Sequence, residues 1–419
     1  MQSNQENSTP FQQVKKRLLR NKMAILGGSI IAFACLVAVL GYLIMPDDTP
    51  NANGGSQFIR KQLPGFEVNV LKIRKQREIT KVGFIEFMLN GQESEYSIYP
   101  YANDYELKND SVIFIPFPGI EKDKATGQIK TIQEHLLRIV RVVYNIPSDK
   151  LASNGSNFIK EGDTFKYLDE NETIQEVTQE QLEREFKENC IETKKYWLGT
   201  NGSGRDILSL LIFGTRISLF IGLMAVIISL LLGVTLGALA GFFSGRTDNF
   251  INWLMTVTWS IPNIMLVIII SVLFNKGLWV VFIAVGLTMW VEIARIVRTE
   301  IMTIKEKQFV EAARAFGFSN RRIIFKHILP NVIGPIVVIA TNNFALAILI
   351  EAGLSFLGFG VQPPMPSWGV MVNEGFALMA TKDAWHLVVF PSFAISLVVL
   401  AFNLFGNGLR DAYDPKSLK

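Results

Sequence analysis

Residues 311–331, EAARAFGFSNRRIIFKHILPN, bring together Glu311, Arg314, Arg321, Arg322, Lys326 and His327. Several cations and one carboxylate, with no catalytic constellation among them, suit recognition of a charged surface rather than covalent chemistry. The other two histidines, His135 and His386, stand far away along the chain, and no catalytic triad or metal cluster is suggested. Cys35 lies in an apolar run and Cys190 in a polar region, a spacing that suits neither a metal nor a disulfide framework, so both are expected to be packing residues. The net charge is only +4, with basic residues scattered and aromatics inside apolar runs, which argues against nucleic acid as a partner.

What must position this cluster is a set of membrane spans. The chain has 419 residues, of which 49% are hydrophobic and 30 are Phe. A hydrocarbon core of about 30 Å takes about 20 helical residues to cross. Six runs qualify: 23–45, 217–243, 250–274, 278–297, 332–353 and 385–406. The first follows Lys15, Lys16, Arg17, Arg20 and Lys22, as a signal peptide would; its apolar part is too long for one, and it is expected to be a retained anchor. Lys and Arg in the short loops set the orientation. The five residues before the first span, Arg246, the stretch from Arg298 to Lys326, and Arg410, Lys416 and Lys419 share one side. Only Lys276 and Lys382 lie on the other, which predicts that both termini and the 311–331 cluster are cytoplasmic.

Residues 46–196 then form an extracytoplasmic insertion of α+β character. Phe84–Leu89, Asn90-Gly91 and Gln92–Ile98 suggest a hairpin, because Asn-Gly suits a type I′ turn. Ser111 to Ile115 suggests a strand ending at Pro116. Ile132, Leu136, Ile139, Val140 and Val143 have helical spacing over 131–144. Thr178 and Gln181 match a capping box for a helix to about Cys190. Residues 1–10 and 47–56 are polar and are expected to be flexible.

The cluster cannot itself span. Three unpaired arginines at mid-bilayer would cost roughly 8–10 kcal/mol on insertion scales. Its signals are those of two short helices meeting at a bend. Over 304–316, Ile304, Phe309, Ala312, Ala313 and Phe316 can share an apolar face, and Gly317 suits a left-handed stop. Ser319 can cap a second helix with Ile323, Ile324, His327 and Ile328 on one side, which Pro330 would end. Glu311 beside the small Ala312 and Ala313 suggests a docking surface; a helix lying on anionic lipid would use the same cations.

These residues carry a resemblance. EAARAFG followed after nine residues by HILP resembles the EAA loop of binding-protein-dependent ABC importer permeases. WLGTNGSGRDILSLLIFGTRISL (197–219), SFLGFGVQPPMPSWG (355–369) and AFNLFGNGLRDAYDP (401–415) are similar to the dipeptide and oligopeptide subfamily, specifically its second, OppC/DppC-type permease subunit. The likeness covers about 1–45 and 197–419. It implies an all-α membrane protein of six transmembrane helices of the type I ABC importer kind, in a bacterial inner membrane. A cytoplasmic segment 1–22, a first helix 23–45, a permease core 197–409 with its EAA loop at 305–330, and a cytoplasmic tail 410–419 would surround the insertion. It also implies a homologous second permease, two cytoplasmic ABC ATPases using ATP and Mg, and an extracytoplasmic substrate-binding protein. This chain has no G-x-x-x-x-G-K-[ST], so no phosphate-cradling loop and no cofactor of its own is expected. By resemblance Glu311, Ala312, Ala313, Arg314, Gly317, Arg321, Arg322, His327 and Pro330 are the coupling residues. His327 departs from the general EAA pattern, which has Ile there, and the insertion is longer than the family's first outer loop.

Other residues keep two readings. Pro262, Pro335 and Pro391 mark either moving bends or static kinks. Asn342 and Asn343 either line the pathway or bond between helices. Glu292 is expected to pair with Arg295 on one helix face. Glu351 is expected at a surface or gate, and Trp368, in the Gly- and Pro-rich outer loop, is a second gate candidate. GTNGSGRD lacks the preceding strand of a nucleotide loop and is expected to lead into an amphipathic segment near 207–216. Peptide import is the function implied; permeases for nickel complexes, glycosides or antibiotic peptides, or a six-span receptor signalling through its loop, are the alternatives.

Overall fold

The computed structural model describes residues 10–102, 104–119, 131–144, 158–169, 171, 173–380 and 384–413; Lys382, Lys416, Lys419 and the expected flexible residues 1–9 lie outside them. In chain order the elements are α1 (Pro10–Leu18), α2 (Lys22–Ile44), β1 (Phe66–Arg74), α3 (Phe84–Asn90), β2 (Tyr96–Tyr101), β3 (Glu106–Lys108), β4 (Ser111–Phe114), β5 (Ile132–His135), α4 (Leu136–Val140), β6 (Phe158–Glu161), β7 (Thr164–Leu168), β8 (Ile174–Thr178), α5 (Gln179–Glu185) and β9 (Ile191–Tyr196). They continue with α6 (Ile207–Phe243), α7 (Gly245–Trp259), α8 (Asn263–Leu273), α9 (Leu278–Lys305), α10 (Gln308–Ala315), α11 (Asn320–Arg322), α12 (Leu329–Phe356), α13 (Trp368–Leu378) and α14 (His386–Tyr413). Two units result: Met1–Val39 with Leu211–Asn373 and Val388–Lys419, and Leu40–Leu210 with Glu374–Leu387.

The first unit is helical and membrane-embedded. Among the described residues five helices are long and apolar enough to cross a bilayer, or six if α7 and α8, bent by 86°, form one broken span. The bend sits at Pro262, which has no N–H and precedes the first residue of α8. Close packing comes from small residues at every fourth position of α6. A Cβ on Gly233, Gly237 or Gly241 would lie 2.5–2.7 Å from Ile293 Cβ, Ala294 O or Arg298 O of α9. Glycine there lets two helices approach where lipid supplies no hydrophobic drive for association. Gly27 of α2 meets Ala401 O of α14 at 2.5 Å in the same way. Outward, Phe33, Leu231, Ile269 and Phe393 are left exposed, as lipid-facing residues are.

Two boundaries differ from expectation. α6 begins ten residues early because Asp206 Oδ2 accepts from Ser209 N (2.8 Å) and Ser209 Oγ (2.5 Å), which starts the helix there. Pro330 does not end a helix. Residues Ile323–Ile328 form a π-helical segment that runs directly into α12, with Leu329 N bonding Ile324 O. The wider i→i−5 turn makes room where the proline ring would otherwise strike the carbonyl four residues back.

The second unit holds three antiparallel three-stranded sheets, ordered β2-β1-β9, β3-β4-β5 and β6-β7-β8. Phe114, Leu137, Ile139, Phe165, Leu182 and Phe186 share one core with Leu71 of β1. The expected strand at 111–114 and the Thr178 capping box are present, Thr178 Oγ1 accepting from Gln181 N and Gln181 Oε1 from Thr178 N. The expected hairpin at 84–98 is not. Phe84–Asn90 is a helix, and Gly91, at φ 76°, is its C-terminal stop. The helix expected over 131–144 is half strand. Ile132–His135 pairs with Phe114–Ser111, and only Leu136–Val140 is helical, capped by His135 Nδ1 accepting from Leu137 N. Residues 47–56 are ordered: Asp47 accepts from Thr49 N and Gly54 N, and its own N–H donates to Ser209 Oγ. Cys190 is a packing residue, its thiol pushed up to about 11 by burial, whereas Cys35 is exposed on α2.

Candidate functional site

The 305–330 loop is built on an apolar floor. Val310 and Ala313 of α10, with Ile323, Ile324 and Ile328 of the π segment, pack on Ala238, Phe242, Ile293, Val297, Ile301 and Val332. The bend between the helices uses a left-handed residue: Gly317, φ 73°, with its N–H bonded to Arg314 O at 2.9 Å. Ser319 precedes α11 with an extended backbone, but its side chain makes no cap bond. The apolar face expected on 304–316 is divided differently. Ile304, Val310 and Ala313 are buried, while Phe309, Ala312 and Phe316 point outward, Phe316 being 80% exposed. Phe325 stands 69% exposed nearby in the chain. Glu311 is exposed in the first turn of α10, where a carboxylate suits the helix dipole.

The cations are not uniformly free. Arg314 lies over the ring of Phe242 at 5.6 Å, and Arg322 over that of Phe318 at 4.0 Å. His327 stacks on the same Phe318 ring, centroids 5.7 Å apart and planes within 13°. It is half-buried, and its Nε2 has no hydrogen-bond partner. Arg321 is exposed, and Pro330 is exposed at the start of α12. Below the loop, Arg298 binds Asp248 through two bonds of 2.5 and 2.7 Å, and Lys305 Nζ donates to Ser244 Oγ at 2.7 Å. These tie α9 to the α6–α7 turn, and sequence reasoning missed them because the partners are fifty and sixty-one residues apart.

A cleft of about 650 Å³ opens between α9, α12 and α14. Asn342 lines it with Glu300, Asn403, Asn407, Arg410 and Pro335. Asn342 is the pathway candidate that its cost in lipid marks in the sequence; Asn403 and Asn407, four apart on α14, carry the same signal. Asn343 does not line it and is fully buried, with neither amide atom hydrogen-bonded.

Four further candidates sit elsewhere. Glu351 is not a surface residue. It is fully buried, accepting from Ser355 Oγ at 2.8 Å and Ser218 Oγ at 3.4 Å, because α6 and α12 close over it. Trp368 is 2% exposed, its Nε1 donating to Leu211 O at 3.1 Å and its ring against Gly214, so it anchors α13 on α6. Glu292 and Arg295 form no ion pair among the described contacts. Arg295 lies over the Trp259 ring at 3.7 Å, a contact across helices that local spacing could not show. GTNGSGRD is a closed turn in the second unit, Asn201 Oδ1 accepting from Ser203 N and Arg205 N, with Asn201 and Arg205 both bonded to Glu374.

Apolar spans around a polar cleft, with a bent loop packed on the spans, define an integral membrane protein. Residues 233–419 match the model of the binding-protein-dependent transport system inner membrane component, and residues 9–61 that of the N-terminal transmembrane domain of oligopeptide transport permease C. The chain is 42% identical over 55% of its length to a dipeptide transport system permease protein of Bacillus subtilis, covering 72% of it. It is 41% identical to an oligopeptide transport system permease protein of the same organism, over 54% of this chain and 74% of that one. A glutathione transport system permease protein of Pectobacterium atrosepticum is 43% identical over 53% of this chain and 73% of its own length. The chain belongs to the binding-protein-dependent transport system permease family and is the permease subunit of an ABC transporter.

Proposed function

We propose that this chain forms half of the translocation pathway of a peptide importer in a bacterial inner membrane. A homologous second permease would supply the other half, and the cleft lined by Asn342, Asn403, Asn407 and Arg410 would belong to the pathway. The relatives above are named for dipeptide, oligopeptide and glutathione transport, which favours peptides over nickel complexes or glycosides. Basic residues at 246, 298–326 and 410 against Lys276 favour cytoplasmic termini and a cytoplasmic loop.

The loop would be the seat of one of two ABC ATPases that hydrolyse ATP with Mg, while an extracytoplasmic binding protein delivers substrate. One observation carries this: the loop's inner face belongs to the same apolar core as α6, α9 and α12, while Phe309, Ala312 and Phe316 are left outside. A loop fused to the spans on one side and open to a partner on the other transmits displacement as a lever. Glu311, Ala312 and Arg321 lie on its open side, and Arg314 and Arg322 are held over aromatic rings. Closure of the ATPases on ATP would push the loop and tilt the spans, exposing the cleft alternately to each side.

Gly317→Pro tests the lever. Proline is locked near φ −65° and has no N–H, so it can match neither the φ of 73° nor the bond to Arg314 O. ATP-driven uptake of a radiolabelled peptide should fall at least tenfold while the chain still inserts and binds its second permease. Unchanged uptake with normal insertion would sink the reading.

A further inference from the structure

α3, of sequence FIEFMLN, buries none of its residues, and Phe84 and Ile85 are 70% and 75% exposed. Large apolar groups displayed together on an ordered helix mark a surface that something covers. The neighbours of α3 identify what. The ring of Phe87 lies 6.2 Å from that of Tyr42, and Tyr42 is in the last turn of α2, a membrane span. At 1.5 Å per residue α2 is about 35 Å long, so its end lies at the edge of a hydrocarbon core of about 30 Å. A tyrosine is the side chain expected at that level. Leu43 and Ile44, beside it, are themselves 50% and 47% exposed, so the apolar surface of the span reaches the turn against which α3 rests.

The contact is built rather than incidental. A Cβ on Gly91 would stand 2.5 Å from Asp48 O and 2.6 Å from the Tyr42 ring, so the residue that stops α3 must be glycine for the helix to approach α2. Gln92 N donates to Asp48 O at 3.1 Å. The Gln92 side chain accepts from Val82 N at 3.0 Å and donates to Thr80 O at 3.3 Å, closing the loop that carries α3. Lys81, three residues before Phe84 in the chain, is exposed.

We propose that α3 is seated in the bilayer: Phe84 and Ile85 enter the interface between headgroups and acyl chains, continuing the lipid-facing surface of α2, with Lys81 at the level of the lipid phosphates. The insertion is thereby held to the membrane at a second point besides its covalent connections. The proposal uses only the membrane-spanning nature of α2 and stands apart from the role of the 305–330 loop.

The test uses the full chain with Cys35→Ser, the buried Cys190 being left in place. A single cysteine at Ile85→Cys, and separately at Phe84→Cys, is labelled with an environment-sensitive nitrobenzoxadiazole and reconstituted in phosphatidylethanolamine–phosphatidylglycerol nanodiscs. The reference is Glu180→Cys, on a side chain 88% exposed. At 84 and 85 the emission should be blue-shifted, quenched at least twofold more by lipids spin-labelled near the headgroup than at 180, and sheltered at least twofold from aqueous iodide. Iodide quenching equal to that at 180 overturns the proposal. Shelter from both iodide and spin-labelled lipid overturns it too, because a protein surface would then be the occupant.

Discussion

The two units solve packing in opposite ways. In the insertion the largest side chains go inward: Phe114, Phe165 and Phe186 are fully buried, and charged pairs such as Arg141–Glu185 and Lys195–Glu67 decorate the outside. In the bundle many large side chains are left outward, Phe33, Leu231 and Phe393 among them, while close helix approach is made at Gly233, Gly237 and Gly241. The difference follows from the solvent. Water rewards removal of apolar area at roughly 25 cal/mol per Å², so the insertion gathers it. Lipid gives no such reward, so the bundle gains from close approach and van der Waals contact instead. One unit should therefore be most sensitive to removal of atoms, the other to their addition.

The largest effect is expected from Phe165→Ala. That ring is fully buried against Phe158 and His135, and deleting such a side chain costs about 3–5 kcal/mol. Hydrogen exchange in a nanodisc should show protection lost over β6, β7 and β8 while α9 and α12 stay protected. Equal loss in both units would mean that they do not unfold separately, and the contrast would fail. Next comes Gly237→Val. Its Cβ would fall 2.5 Å from Ala294 O, a backbone atom that a rotamer change cannot move, and overpacking of this kind costs about 1–3 kcal/mol or more. Thermal unfolding in detergent should show the bundle destabilised with the insertion unchanged. Phe33→Ala, which removes a larger group from a lipid-facing position, should do less than Gly237→Val; the reverse order would break the comparison.

The bundle was largely legible in the sequence because each span is a local count of apolar residues, and five of the six expected runs each correspond to one continuous helix. What local counting missed was set by contacts across the fold. The helix of α7 and α8 bends at Pro262, Pro330 is absorbed by a π turn, and Arg295 chooses Trp259 over Glu292. The loop's bend at Gly317 was legible, because a left-handed residue between two amphipathic stretches is a local requirement. Which of its aromatics face inward was not, since Phe309 and Val310 are adjacent and only the floor made by Phe242, Ile301 and Val332 decides between them. In the insertion, Asn90-Gly91 carried a true glycine signal with the wrong cause. The positive φ ends a helix beside Tyr42 instead of turning a hairpin.

The smallest expected effect sharpens the comparison from the side of charge. His135 is half-buried between Phe158 and Phe165, its ring 4.4 Å from the first, and Nδ1 accepts from Leu137 N at 3.2 Å. Burial lowers its pKa below the ordinary 6.5, more than the opposing attraction of Asp110 raises it, while Lys160 and Arg138 also disfavour a charge. The fold therefore holds a neutral ring. Between the two pKa values the unfolded chain binds more protons than the folded one, so stability rises with pH. The stabilisation is complete above about pH 6.5 and is lost as pH falls below it toward the lowered folded value. Unfolding of the insertion, followed by tyrosine exposure or hydrogen exchange over β5 to β8 from pH 7.5 to 5.5, should become easier in acid. His135→Asn keeps a side-chain acceptor for Leu137 N and has nothing to titrate, so it should flatten this pH dependence. A slope that survives the substitution would assign the acid sensitivity to another group and remove His135 from the account.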